Sequence, residues 1–279
     1  MEKHQLPEAL TNTSGYYPLE TRENAEMDLA LALDIGERML RVGAEIGRVE
    51  DSLRRICTAF GAERVDVFTI TSSIVVTMMS PAFGCVTQTR RVQGGVSDFY
   101  RLHLLNALSR TICAGETRTI CAAPMTRAEI AAEIDRIDHA PVYGFAAQLG
   151  IYALISAAFS LFFGGVWQDA AAAAVIGVVL CIVQGVLRRL RTNPFLQSLL
   201  CSFAGGLLAS GSVALGLALH ADLIAIGNVM LLIPGIALTN AIRDLFSGDL
   251  VSGLLRFAEA LMLAATVALG FVLAARLFG

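Results

Sequence analysis

Charge is scarce in this chain. Asp, Glu, Lys and Arg make up 16% of its 279 residues, against about 25% in ordinary soluble domains, so one soluble domain with a charged surface is excluded. Strong basic character is missing too. The formal net charge is −3, and neither half offers the basic patch that nucleic acid requires. The first 25 residues are polar and lack the apolar core of a secretory signal. Low-complexity tracts are absent. The six cysteines (Cys57, Cys85, Cys113, Cys121, Cys181 and Cys201) form no CxxC pair and have no histidine at ligand spacing. Reduced, packed thiols are therefore expected, with neither zinc nor disulfides. No P-loop occurs, which argues against ATP-driven pumping by this chain, and GxSxG and HExxH are also missing. His103 and the strand hydroxyls Thr69, Thr71, Ser72 and Ser73 are isolated groups of the kind that packing and strand propensity supply. No catalytic residue, metal or cofactor is expected.

What the chain has in quantity is apolar sequence, 55% of the residues, with a mean hydropathy of +0.63. The distribution is uneven. Residues 1–142 hold 15 of the 21 Lys+Arg and 19 of the 24 Asp+Glu, leaving 6 and 5 for the rest. Three parts follow: a disordered tail at 1–25, a cytosolic α+β domain at 26–142 and a transmembrane helical domain at 143–279. A span needs about 20 apolar residues, and five candidates lie near 144–164, 169–187, 197–219, 223–242 and 254–276. The fourth has eleven residues from Leu223 before Pro234, so it spans only if the helix continues across that break. Arg188, Arg189 and Arg191 follow the second candidate, and Arg243 and Arg256 the fourth. The other two loops carry no basic residue. The positive-inside rule then places the N-terminus in the cytoplasm and the C-terminus outside. Ala204, Gly205, Gly206, Ala209, Ser210, Gly211, Ser212 and Gly216 give the third candidate a small-residue face suited to close helix packing.

In the charged half, Ile35, Met39, Val42, Ile46, Val49, Leu53, Ile56 and Phe60 repeat every 3.5 residues. They predict one helix over 26–60, stopped by Gly61. Carboxylates precede arginines by four residues at Asp34/Arg38, Glu37/Arg41, Glu50/Arg54 and Asp51/Arg55. Strands are expected within Arg64–Met79, with a turn near Ser72-Ser73, and over Cys85–Val92. A helix follows from about Ser97, its N-cap, to Cys113, and another from Thr126, opened by a capping box, to near Asp138.

The segment from Leu231 to Glu259 concentrates the chemistry. Ionisable groups at membrane depth are expensive and usually line a pathway or pair internally, and a broken helix beside them is how transporters often make a site. Pro234-Gly235 supplies the break. Asn228 and Asn240 flank it with amides that both donate and accept. Arg243 could hold a carboxylate as a fork and Asp244 an ammonium. Ser247, Gly248 and Asp249 form a turn at the same mouth. Arg256 and Glu259 stand one turn apart and are expected to pair, with Glu259 also a candidate for proton coupling. In the charged half, Gly43 and Gly47 invite a close approach to the helix backbone, and Glu45 and Arg48 lie beside them as a candidate binding face.

Two stretches, LDIGERMLRVGAEIGRVEDSLRRICTAFG at 33–61 and IPGIALTNAIRDLFSGDLVSGLLRFAEAL at 233–261, resemble the threonine/serine exporter family of bacterial inner-membrane proteins. The resemblance covers about 26–279. It implies efflux of small hydroxy amino acids driven by the proton motive force, with Gly43, Glu45, Arg48 and Glu50 as the N-terminal signature. Pro234, Gly235, Asn240, Asp244, Ser247, Gly248 and Gly253 stand for the membrane signature. Full-length members look like two fused membrane halves with about ten spans. This chain is similar to the larger subunit of split members, which act with a smaller second membrane protein, some on dicarboxylates such as succinate. The expected surroundings are the lipid bilayer, a small second subunit or further copies of the chain, and a small-molecule substrate. A membrane-anchored hydrolase and a ligand sensor or scaffold are the alternative classes.

Overall fold

The computed structural model describes residues 21–95, 97–117 and 125–278. Residues 1–20 of the expected 1–25 tail, and Cys121, lie outside the described residues, whereas Arg22–Ala25 belong to the first helix rather than to a disordered tail. The chain divides into two compact units, one built from the residues up to Pro141 together with Asn240–Arg256, the other from Val142–Thr239 and Phe257 onward.

In the first unit, α1 (Arg22–Arg41) opens at Thr21, whose hydroxyl accepts from the Asn24 amide at 3.3 Å. The single helix expected over 26–60 is broken. After Arg41 the chain turns through Val42–Glu45 and restarts as α2 (Ile46–Ala59). Gly43 makes the turn at φ +94°, a left-handed conformation that residues with a Cβ avoid. The Val42 and Gly43 amides bond back to Arg38 O and Leu40 O, closing the end of α1. The 3.5-residue repeat is real but folds onto itself. Ile35 and Met39 from α1, and Ile46, Val49, Leu53 and Ile56 from α2, are all fully buried in one core. Gly61, at φ +96°, ends α2 as expected.

Three strands form an antiparallel meander, β1 (Arg64–Ile70), β2 (Ser73–Ser80) and β3 (Gly84–Arg91), in the order β1-β2-β3. Ile70 pairs with Ser73, so Thr71-Ser72 is a two-residue turn, one position ahead of the expected one. Ile74, Val76 and Met78 of β2 and Val86 of β3 are buried with the helices. Helix α3 (Phe99–Thr117) is capped by Asp98 rather than Ser97, because the Asp98 carboxylate accepts from the Arg101 amide at 3.0 Å. Helix α4 (Arg127–Asp138) opens on the expected Thr126/Glu129 capping box. Of the four helix ion pairs, Glu37–Arg41 and Asp51–Arg55 form at 3.9 and 3.0 Å. Asp34 instead meets Arg90 at 2.7 Å and Arg38 meets Asp138 at 2.8 Å, ties that hold α1 to β3 and α4.

The second unit contains α5 (Phe145–Phe162), α6 (Trp167–Arg189), α7 (Pro194–Ala214), α8 (Ala221–Val229), the start of α9 (Gly235–Phe246) and the larger part of α10 (Leu250–Phe278). Four helices of the described residues are long and apolar enough to cross a membrane: Phe145–Phe162, Trp167–Arg189, Pro194–Ala214 and Leu250–Leu277. The protein is an α-helical membrane protein. The expected span at 223–242 is not one helix, since Met230–Pro234 separates α8 from α9. Pro234 has no amide hydrogen to continue the ladder and its ring crowds the preceding turn. The amides of Leu231, Leu232 and Ile233 bond back to Asn228 and Val229 in tight turns.

Glycines set how closely these helices approach. A Cβ on Gly206 of α7 would stand 2.6 Å from the Ala274 methyl of α10, and one on Gly270 of α10 would stand 2.8 Å from Leu199 O of α7. The small-residue face of the third candidate span is therefore used for packing on α10. Asp169, fully buried in the first turn of α6, accepts from the amides of Val166, Leu219 and His220 and lies 2.9 Å from His220 Nδ1. It fastens the α5–α6 loop to the α7–α8 loop.

Candidate functional site

The signature residues of the two halves of the sequence meet inside the first unit. Helix α9 runs to Phe246, turns at Ser247-Gly248-Asp249 and is followed at once by α10. Gly253 of α10 lies directly on α9, where a Cβ would be 2.7 Å from Leu245 Cγ and 2.8 Å from its amide nitrogen. The two helix ends are thereby held in near contact, which brings Asp244 and Arg256 together. The Asp249 amide bonds Asp244 O and the Gly253 amide bonds Asp249 O, which fixes the turn.

This paired end grips four consecutive residues of the α1–α2 turn. Asn240 Nδ2 donates to Gly43 O at 3.1 Å, and Arg256 donates to Ala44 O at 3.2 Å. The Glu45 carboxylate is ion-paired with Arg243. The Ile46 amide donates to Asp244 Oδ1 at 3.4 Å. Asp244 is 1% exposed and its other oxygen lies 3.1 Å from Arg256, itself largely buried. Glu45 stands at the N-cap of α2 but makes no side-chain cap bond. Asp244 takes that role from a distant part of the chain, placing its negative charge where unpaired amides and the helix dipole attract it. Burial pushes the Asp244 carboxyl above its ordinary range, with Asp249 and Glu45 adding to the shift and Arg256 and the Ile46 amide opposing it. We call this arrangement the clasp.

Chemically the clasp is two arginines, each neutralised by a carboxylate of the same chain. A ligand carboxylate offers the same partner to either guanidinium. Asp249 adds a third acid, 3.9 Å from where a Cβ on Gly47 would stand. The expected close approach is found at Gly43, where a Cβ would stand 3.2 Å from Ser97 Oγ, but not at Gly47, which is exposed and leaves Asp249 at ordinary contact distance; Gly43 also lies in the turn rather than four residues before Gly47 in one helix.

The remaining expected residues fall elsewhere. Arg48 and Ser247 are exposed and outside the grip. Glu50 accepts from the Thr69 amide at 2.8 Å and so ties α2 to β1. Burial raises its carboxyl, against that bond, and Asp249 raises it further. In the second unit, Asn228 is fully buried, accepts from the Ser156 hydroxyl at 3.0 Å and donates to Ile224 O at 2.9 Å, a bond between α8 and α5. Pro234 ends the link between α8 and α9, and Gly235 begins α9. The expected Arg256–Glu259 pair does not form: Arg256 is occupied by Asp244 and Ala44 O, while Glu259 is exposed. Sequence reasoning missed Ala44 and Ile46 because they act through backbone groups. The only available signal was their position beside Gly43 in the motif.

Residues 30–278 match the threonine/serine exporter family. The chain belongs to that family. Within it, the chain is 24% identical over 251 residues to the protein named "Probable succinate transporter subunit YjjP" of Escherichia coli (strain K12), covering 89% of this chain and 94% of that one. It is also 24% identical over 264 residues to the "Threonine/serine exporter" of Corynebacterium glutamicum, covering 91% of this chain and 52% of that protein. The "Probable threonine/serine exporter" of Mycobacterium tuberculosis (strain ATCC 25618 / H37Rv) is 27% identical over 268 residues, 95% of this chain and 48% of that protein. The chain thus spans nearly all of the relative named as a subunit and about half of the two named as exporters. No solved structure matches this family member.

Proposed function

We propose that this membrane transporter is the larger subunit of a two-component secondary exporter in the bacterial inner membrane. Its substrates would be small amino acids such as threonine and serine, and its N-terminal domain would face the cytoplasm. The observation that carries the reading is the clasp, in which Arg243 and Arg256 are held by Glu45 and Asp244. An arriving amino acid brings a carboxylate for an arginine and an ammonium for Glu45 or Asp249, so it can replace the internal pairs one for one. The clasp is then the closed state of an entry site.

A second reading, export of dicarboxylates, is favoured by the lengths of the relatives. The chain covers 94% of the protein named as a succinate transporter subunit but about half of the exporters named for threonine and serine. A dicarboxylate would satisfy both arginines at once.

Counterflow in proteoliposomes tests both readings, using labelled threonine, serine and succinate, an imposed pH gradient and a candidate small membrane protein supplied as the second subunit. Threonine or serine flux that vanishes in Asn240→Ala and Asp244→Asn, with insertion intact, supports the first. Succinate flux with the same losses supports the second. Full flux in both variants overturns the role of the clasp.

A further inference from the structure

Glu259 is the only carboxylate of the apolar helix α10, and it has no ion-pair partner among the described residues. By helix rise it lies about 14 Å beyond Leu250. That is inside the hydrocarbon when the 28-residue span Leu250–Leu277 is centred on a layer of about 30 Å. Carboxylates at that depth face protein or water rather than lipid. Its neighbours along the helix are not random. Glu259, Met262, Thr266, Leu269 and Leu273 follow one another in steps of three and four, the spacing of a seam that receives another helix. Met262, Leu269 and Leu273 are 56%, 50% and 45% exposed. The neighbouring flank of α10, at Gly270 and Ala274, is already filled by α7, so the seam borders that contact and is left open.

We propose that this seam is the docking surface for one transmembrane helix of a different membrane protein, which presents a basic or amide side chain to Glu259. This rests on the two-component reading above. Charge selects the occupant. A second copy packed in parallel about a two-fold axis would set Glu259 against Glu259, a like-charge contact, whereas a cationic or donor group completes the buried carboxylate. A single polar residue in an apolar seam also fixes register between helices. Length points the same way. The exporter of Corynebacterium glutamicum has nearly as much chain again beyond the part this chain matches, which can supply within one protein what this chain takes from a second.

The test is photocrosslinking in membranes of cells that make the full chain and a candidate small membrane protein as its second subunit. p-Benzoylphenylalanine is placed at Met262 and, as a control face, at Leu154 of α5, which is 70% exposed. The expected result at Met262 is an adduct with a helix of the small protein that carries a basic or amide residue within one turn of the crosslink. Glu259→Gln and Glu259→Lys should insert normally and lower the yield, the second by at least tenfold. Reversing the charge of the partner residue should restore the Glu259→Lys adduct. An adduct with a second copy, or yield unaffected by Glu259→Lys, overturns the proposal. Capture at Leu154 but not at Met262 overturns the seam and leaves the two-component reading standing. No capture at either site, with substrate efflux by this chain alone, overturns both.

Discussion

Replacing Asp244 by asparagine should open the clasp without unfolding the first unit. The carboxylate is 1% exposed and serves two partners, Arg256 at 3.1 Å and the Ile46 amide at 3.4 Å. Removing one member of a buried ion pair costs about 3–5 kcal/mol, because the other charge is left uncompensated. Asparagine keeps an acceptor for Ile46, and Arg256 keeps Ala44 O, so the lower end, about 3 kcal/mol, applies. That corresponds to a factor of about 100 in the closed-to-open ratio. Hydrogen exchange reads it directly: protection across the first turn of α2, Ile46–Val49, should fall by about that factor. The strands, which the clasp does not touch, should be unchanged. A cycle with Arg256→Gln should show coupling of about 2 kcal/mol, the upper part of the range for residues in one network. Unaltered exchange at Ile46, or additive single effects, would refute the argument that Asp244 caps α2 and holds Arg256 together.

Three further outcomes are expected. Gly43→Ala should destabilise the α1–α2 turn by about 1–2 kcal/mol, the strain of a side chain at φ +94°. Asn240 should then lose its grip on the displaced carbonyl, and exchange at residues 43–46 would report it. Gly270→Val should push α10 off α7, since its first side-chain atom already meets Leu199 O at 2.8 Å and Phe203 N at 2.9 Å. A loss of about 1–3 kcal/mol, read as lower thermal stability in detergent, is expected, and unchanged stability would count against the packing. Asp28 and Glu50 both carry carboxyl groups raised mainly by burial. Each therefore binds its proton more tightly in the folded unit than when unfolded. Their contribution is complete below the ordinary range near pH 4 and declines as pH rises through the raised values. Exchange from the first unit should be slower, after correction for intrinsic rates, at pH 5 than at pH 7.5, and Glu50→Gln should flatten that difference.

How far the site could be read from sequence differs from residue to residue. Asn240, Arg243, Asp244, Asp249 and Arg256 stood out because polar groups are rare in so apolar a stretch, and the structure brings all of them into the first unit. Gly43 and Glu45 stood out through their motif. That Glu45 pairs with Arg243, 198 residues away, left no mark in local spacing. The Arg256–Glu259 pair failed for the complementary reason. Two residues one turn apart can meet, but a buried Asp244 within reach is a stronger partner for the arginine than an exposed glutamate. Glu50 looked like part of a binding face, and its backbone partner Thr69 is fixed only once the sheet docks on α2.

By itself the sequence determined the properties that depend on neighbours along the chain. These are the apolar runs of the crossing helices, the caps at Thr126 and Gly61, the alternation of the strands, and a 3.5-residue repeat that had to be buried somewhere. Periodicity states that a face must be covered and leaves open by what. Tertiary structure decided that the repeat closes on itself through the turn at Gly43, because the glycine allows the left-handed step and α1 and α2 then share one core. It also decided that Asp244 caps a helix that begins almost two hundred residues earlier. The unpaired amides at that helix start draw in the nearest buried charge, and only the folded chain sets which charge is near.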